Sequence, residues 1–199
     1  MTITYAFLLG IIQGLTEFIP VSSTAHLLLG QTLLGLQTDD KVFAFQVIIQ
    51  MGTVLALLLF FRQDFWNIIK YFFLGVWHRK PFENHDSLFG WLVIIATIPA
   101  LIVGFLLKGV VENLFKDPPL QAGIRLLMSA FLLTAVEYVG RRERKLESAT
   151  WVDALTVGLF QILSLFPGAS RSGSTIAGGM VRGFDRLSAA RFAFIMSAP

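Results

Sequence analysis

Glu17-Phe18-Ile19-Pro20-Val21-Ser22-Ser23-Thr24-Ala25-His26 interrupts two apolar stretches, residues 3–19 and 25–36. Pro20 has no N–H and its ring clashes one turn back, so the preceding helix cannot run through it. Ser22, Ser23 and Thr24 are residue types that cap a new helix. Gln13 and Glu17 are four apart and share a face of the first helix; Ser23 and His26, three apart, share a face of the second. A carboxylate, a hydroxyl and an imidazole therefore converge on one turn. In a soluble protein this would read as a capped helix start with a tolerated polar cluster. Inside an apolar run, an ionisable residue costs about 2.5–3.5 kcal/mol on insertion scales and is functional by default.

The surrounding composition places that turn in a membrane. Of 199 residues, 55% are apolar and 15% charged, against about 25% charged in a soluble domain. The charges cluster between apolar runs at 3–19, 42–61, 88–107, 120–139 and 151–166, with another from 187. Shorter apolar pieces, 25–36 and 174–184, follow the two Pro-Ser breaks. This pattern predicts an all-α polytopic membrane protein, with residues 1–199 as one integral membrane domain. The excess of +3 is small, and no Lys/Arg stripe is interleaved with aromatics, which argues against a nucleic-acid partner. The absence of cysteine excludes disulfides, thiol catalysis and Cys-ligated metals. Residues 64–77 mix aromatics with sparse charge, which suits an interfacial helix. Met1–Tyr5 lacks a basic n-region, so the first run reads as mature protein. The chain stops at Met196-Ser197-Ala198-Pro199 within an apolar run, shorter than the roughly 20 residues of a span, so the natural protein is expected to be longer.

Charge sets the topology. The 62–86 connection holds Arg62, Lys70, Arg79 and Lys80, and the 140–150 connection holds Arg141, Arg142, Arg144 and Lys145; the 108–119 connection holds only Lys108 and Lys116. The positive-inside rule puts the first two in the cytoplasm. Residues 3–36 then dip in from the outer face, and residues 151–182 dip in from the cytoplasm. Two re-entrant broken-helix hairpins related by inversion are expected. Gly10-Ile11-Ile12-Gln13-Gly14-Leu15 and the following Pro20 run parallel to Gly158-Leu159-Phe160-Gln161-Ile162-Leu163 and Pro167, and Phe43-Ala44-Phe45 recurs as Phe192-Ala193-Phe194. The first repeat spans about 3–61 and the second begins near 151. Such inverted repeats place binding sites near the midplane.

The second break, Pro167-Gly168-Ala169-Ser170-Arg171-Ser172-Gly173-Ser174-Thr175, surrounds one Arg with Gly and Ser. Glycines let backbone N–H groups turn toward an anion, and a following helix adds its positive end. Arg171 supplies a donor fork matched to phosphate, and Ser170, Ser172, Ser174 and Thr175 add hydroxyls. No Gly-Lys-Ser/Thr of a Walker loop is present. Gly178, Gly179 and Gly183 suit a helix-packing surface instead. Arg125 and Glu137 read as snorkelling span ends, and His78 and His85 as solvated loop residues. Gln46 and Gln50 are candidates to line the site, and Gln161 to orient the second break.

Gln13-x-x-x-Glu17, Pro20-Val21-Ser22-Ser23-Thr24-x-His26 and Pro167-Gly168-x-Ser170-Arg171-Ser172-Gly173-x-Thr175 together resemble the bacterial undecaprenyl-diphosphate phosphatases, also called bacitracin resistance proteins. The resemblance covers the whole chain in order and spacing. It implies hydrolysis of undecaprenyl diphosphate to undecaprenyl phosphate, recycling the lipid carrier of cell-wall synthesis at the bacterial inner membrane. It also implies a divalent cation, Mg2+ or Ca2+. That family has Glu or Gln at the position of Gln13, which leaves Glu17 as the main acid and metal ligand. Joined to the residues, the expected scheme has Arg171 and the amides of 168–173 holding the diphosphate. Gln13, Ser22, Thr24, Gly168, Ser170, Ser172, Gly173 and Thr175 contact substrate. Ser23 or a water attacks the terminal phosphorus and His26 moves the proton, with His26 as nucleophile the alternative. The partners are a polyprenyl diphosphate lipid and the membrane, and a homodimer is compatible with this reading. A transporter or flippase of a polyprenyl phosphate or phospholipid is the rival, since inverted repeats are also transporter features. Type-2 phosphatidic-acid phosphatases fit poorly, because no His follows Ser170-Arg171.

Overall fold

Ile19 is held extended (φ −84°, ψ 133°) ahead of Pro20 and closes α1 (Ile3–Phe18). The chain reverses through residues 19–22 into α2 (Ser23–Leu33), which packs back on α1. The computed structural model describes residues 2–36, 40–110, 119–166 and 168–197, and at 40, 41, 43, 119–122 and 125 the backbone alone. The expectations placed on Pro167, Lys116 and the side chains of Phe43 and Arg125 lie outside the described residues.

Among the described residues the remaining long elements are all helical. They are α3 (Asp40–Phe60), α4 (Arg62–Trp77), α5 (His85–Leu106), α6 (Pro119–Val139), α7 (Trp151–Gln161), α8 (Arg171–Val181) and α9 (Arg186–Met196). A 3-10 stretch, Ile162–Leu165, leads from α7 into the second break. The described residues form an all-α fold, as the apolar runs predict. The 22-residue α5 is long and apolar enough to cross a membrane. At Phe61 the chain bends by 74° between α3 and α4, and α4 buries none of its side chains, which agrees with an interfacial helix. Phe7, Leu15, Ile48, Leu59, Phe105 and Phe131 point outward. In water that exterior would be a severe cost; in lipid, apolar tails replace it without penalty, and this is the surface of a membrane protein.

The centre of the molecule is α8. Ser172 through Met180 are all buried, between α7, α9 and α6. Small residues make this possible. A Cβ on Gly178 would stand 3.0 Å from the Phe160 Cβ and 3.1 Å from the Val157 Cα; one on Gly179 would stand 3.0 Å from the Ala189 Cβ. These two are packing glycines, as expected from the sequence. Gly183 is different: it adopts φ 86° in the turn from α8 to α9, a left-handed conformation that side chains resist.

Carboxylates pair with several cations of the 140–150 connection and of the α8–α9 turn. Asp153, fully buried at the start of α7, accepts from Arg144 (2.7 and 2.9 Å) and from Arg182 Nε (2.6 Å). Thr150 completes a capping box with the same aspartate. Arg142 and Arg186 pair with Glu137. Glu137, read from the sequence as a snorkelling end, is thus an ion-pair centre. Arg144 N–H donates to the Gly183 carbonyl and Asp185 N–H to the Arg144 carbonyl, each at 2.9 Å, which ties the 140–150 connection to the α8–α9 turn.

A Cβ at Gly158 would overlap the Ala96 carbonyl oxygen and press on Pro99. Gly158→Ala should therefore part α7 from α5 and cost about 1–3 kcal/mol, read as a lower unfolding temperature in detergent. Asp185 caps α9 and receives Lys145 (2.5 Å), which holds its carboxyl down to about 2 from an ordinary 3.8. A depressed carboxylate contributes its stability in full above the unfolded value and loses it as pH falls through the folded one. Stability should thus drop between about pH 4 and pH 2, and Asp185→Asn should flatten that slope in an acid titration of unfolding.

Candidate functional site

Glu17 is the last acidic residue of α1 and stands one turn from the reversal, so its side chain reaches across to the start of α2. Its Oε2 accepts from the Ser23 hydroxyl at 2.5 Å and from Gln13 Nε2 at 3.0 Å. The i,i+4 pair of α1 and the first residue of α2 therefore share one carboxylate oxygen. Ser22 caps α2 through its hydroxyl, at 3.4 Å from Ala25 N, and does so in left-handed backbone (φ 64°). A non-glycine residue there is strained and is typically over-determined by a functional surrounding. His26 turns away from Ser23: its Nδ1 lies 2.9 Å from the Ser22 carbonyl. A carbonyl only accepts, so Nδ1 carries the proton and Nε2 is left as the acceptor.

The second break meets the first at Glu17. Arg171 Nη2 lies 3.6 Å from Glu17 Oε1, and Ser172 Oγ lies 3.4 Å from the Glu17 backbone carbonyl. Ser170 caps α8, accepting from Gly173 N–H at 3.0 Å, and its hydroxyl is 3.2 Å from that of Ser172. Gly168 takes φ 89°, which lets the chain turn into this cap. Between the breaks lies a small pocket of about 100 Å³. Glu17, Ser22, Ser23 and Thr24 line one wall, Ser170, Arg171 and Ser172 the other, with Thr16, Gln50 and Ser164 at the edges. It holds one carboxylate, one guanidinium and a ring of hydroxyls, a set that can bind and rearrange an oxyanion.

Not every residue expected from the sequence reaches the pocket. Thr175 is fully buried and donates its hydroxyl to the Arg171 carbonyl at 2.8 Å within its own helix. The Gly173 amide is taken up by Ser170, the Ala169 amide by the Phe166 carbonyl (3.0 Å) and the Ser170 amide by Ser129 Oγ (3.4 Å). Gly168, Gly173, His26 and Gln13 are not among the lining residues. Gln50 lines the pocket and Gln46 does not. Gln161 keeps a buried Oε1 without a partner. Thr53 was not legible: it accepts from Gln13 Nε2 at 3.5 Å and donates to the Gln50 carbonyl at 2.8 Å. Its place on α3, one turn from Gln50, is the signal that could have found it.

Among the described residues, no group of three or more His, Cys, Asp or Glu could hold a metal alone. Glu17 lines the pocket and is a hard oxygen donor that suits a divalent cation completing its shell with phosphate oxygens; Gln13 turns its Nε2 to Glu17 and does not line the pocket.

The sequence matches the profile described as Bacitracin resistance protein BacA over residues 6–199. The chain belongs to this family. An undecaprenyl-diphosphatase of Chloroherpeton thalassium is 42% identical over 205 residues, covering the whole chain and 72% of that relative. One from Myxococcus xanthus is 40% identical over 199 residues, covering the whole chain and 66% of the relative. One from Anaeromyxobacter dehalogenans is 43% identical over 200 residues, covering the whole chain and 68% of the relative. The matched residues include both breaks.

Ser170→Ala should remove the α8 cap and lower stability by about 1 kcal/mol, whereas Ser170→Asp keeps an acceptor for Gly173 and should retain it; thermal unfolding of the two variants in detergent checks this.

Proposed function

We propose that this protein hydrolyses undecaprenyl diphosphate to undecaprenyl phosphate and inorganic phosphate, and so recycles the lipid carrier of cell-wall synthesis. The observation that carries the reading is the convergence of Arg171, Ser23 and Glu17 on one polar pocket between two broken helices. The names of relatives about 40% identical over the whole chain support it.

Arg171 and the pocket hydroxyls of Ser170 and Ser172 grip the diphosphate, with the positive end of α8 behind them. The amides of 169, 170 and 173 do not take part, because each already has a partner. Ser23 attacks the terminal phosphorus. Its proton passes to Glu17 Oε2, already at 2.5 Å, which gives Glu17 the role of general base. The new Ser23 O–P bond replaces the bridging P–O bond, and undecaprenyl phosphate leaves. Water then cleaves the phosphoserine and releases phosphate. Glu17 returns the proton to the Ser23 oxygen as its bond to phosphorus breaks, and the protons of the water leave with the phosphate; His26, which does not line the pocket, takes no step. A divalent cation held by Glu17 with the phosphates would offset their charge. Positioning and charge compensation account for most phosphoryl-transfer catalysis, which matches a site of so few groups.

The basic 62–86 and 140–150 connections lie in the cytoplasm on this reading. The first hairpin then opens outward, and the protein resides in the bacterial inner membrane.

Purified wild-type protein should release free phosphate from undecaprenyl diphosphate in detergent, and a chelator should abolish the release. Ser23→Ala and Arg171→Ala should each lower it by about 10²-fold or more, while both variants still insert. Wild-type binding without release would favour a carrier, and full activity of Arg171→Ala would sink the phosphate grip.

A further inference from the structure

Glu17 can act as a base on Ser23 only while one of its lone pairs stays aimed at that hydroxyl. One carboxylate oxygen faces Ser23 at 2.5 Å and the other faces Arg171 at 3.6 Å, so a rotation of the group would trade one partner for the other. The Gln13 amide opposes that rotation, because its Nε2 donates to the same oxygen that serves Ser23, at 3.0 Å. Gln13 is itself ambiguous. Its side chain is 1% exposed, and an amide presents N–H donors or a carbonyl acceptor depending on which way it is turned. Turned over, it would set an acceptor against the carboxylate. Its Oε1 has no partner, so the bonds of Nε2 alone set the direction.

Thr53 supplies the second of those bonds from α3. It is buried and lines a narrow cleft with Glu17, Arg171 and Ser172. Its one hydroxyl proton goes to the Gln50 carbonyl at 2.8 Å, so toward Gln13 its oxygen accepts. Gln13 Nε2 lies 3.5 Å from it. The two N–H groups of that nitrogen are divided, one to Glu17 and one to Thr53. In the reversed amide, Oε1 would meet two acceptors at once. We propose that Thr53 is a positioning residue of the hydrolysis: it fixes the Gln13 amide, and the amide fixes the Glu17 carboxylate on Ser23. The inference rests on the phosphatase reading above, in which Glu17 takes the Ser23 proton. Thr53 itself moves no proton. Its effect falls on turnover, since the diphosphate is gripped by Arg171, Ser170 and Ser172.

The test measures phosphate release from farnesyl diphosphate by the purified wild type and its variants. Thr53→Val keeps the shape of threonine and loses the acceptor. It should lower kcat about tenfold with KM within about twofold, the loss expected when a hydrogen bond to a charged group is loosened. Thr53→Ala, which removes the acceptor with a different shape, should do the same. Thr53→Ser keeps the hydroxyl and should hold kcat within about twofold of the wild type. On a Gln13→Met background, Thr53→Val should lower kcat no further, because the group it orients is gone. The proposal is overturned if kcat of the folded Val and Ala variants stays within about twofold of the wild type. An equal loss in Thr53→Ser would make the position one of packing and overturn it too, as would losses that simply multiply in the double variant. If the folded wild type releases no phosphate, the phosphatase reading fails and the role of Thr53 falls with it.

Discussion

Glu17 joins the two halves of the site, and everything else in the pocket is arranged around it. One carboxylate oxygen takes Ser23 and Gln13, the other faces Arg171, and the backbone carbonyl of the same residue faces Ser172. Placing an isolated carboxylate or guanidinium at depth is costly. Paired, each lowers the cost of the other, and removing either leaves an uncompensated charge. The junction is therefore the contact that holds the two breaks together. At 3.6 Å the Arg171–Glu17 pair is partly exposed.

Much of this was readable from residue types alone. Pro20 and the hydroxyls behind it mark a helix break wherever they occur, and helix geometry puts Gln13 and Glu17 on one face regardless of context. What could not be read depends on contacts between distant segments. Thr53 reaches Gln13 from a helix forty positions away. Thr175 looks like a phosphate contact by spacing, yet its hydroxyl is satisfied one turn back in its own helix. Charge counting treats Arg144 and Arg182 as topological labels and is blind to Asp153, the single carboxylate between them. Gly183 was grouped with the packing glycines because sequence does not distinguish a close approach from a left-handed turn.

The Asp153 clamp and the α8 glycines have a common effect. The clamp fixes the base of the α7–α8 hairpin, and close packing fixes its length, so the Arg171 end is delivered to one place. At 1.5 Å per residue the eleven residues of α8 span about 16 Å, roughly half of a 30 Å hydrocarbon core. On the proposed topology a helix of this length would present its positive end in the interior of the bilayer, where a full span would present only side chains.

That half-depth has an electrical consequence. On the proposed orientation the polar pocket faces the outer aqueous phase, and the rings of Phe18, Phe61 and Phe194 would lie on its cytoplasmic side. A charge crossing the full field would exchange about 2.3 kcal/mol per 100 mV; a diphosphate that stops at Arg171 would cross only part of that field.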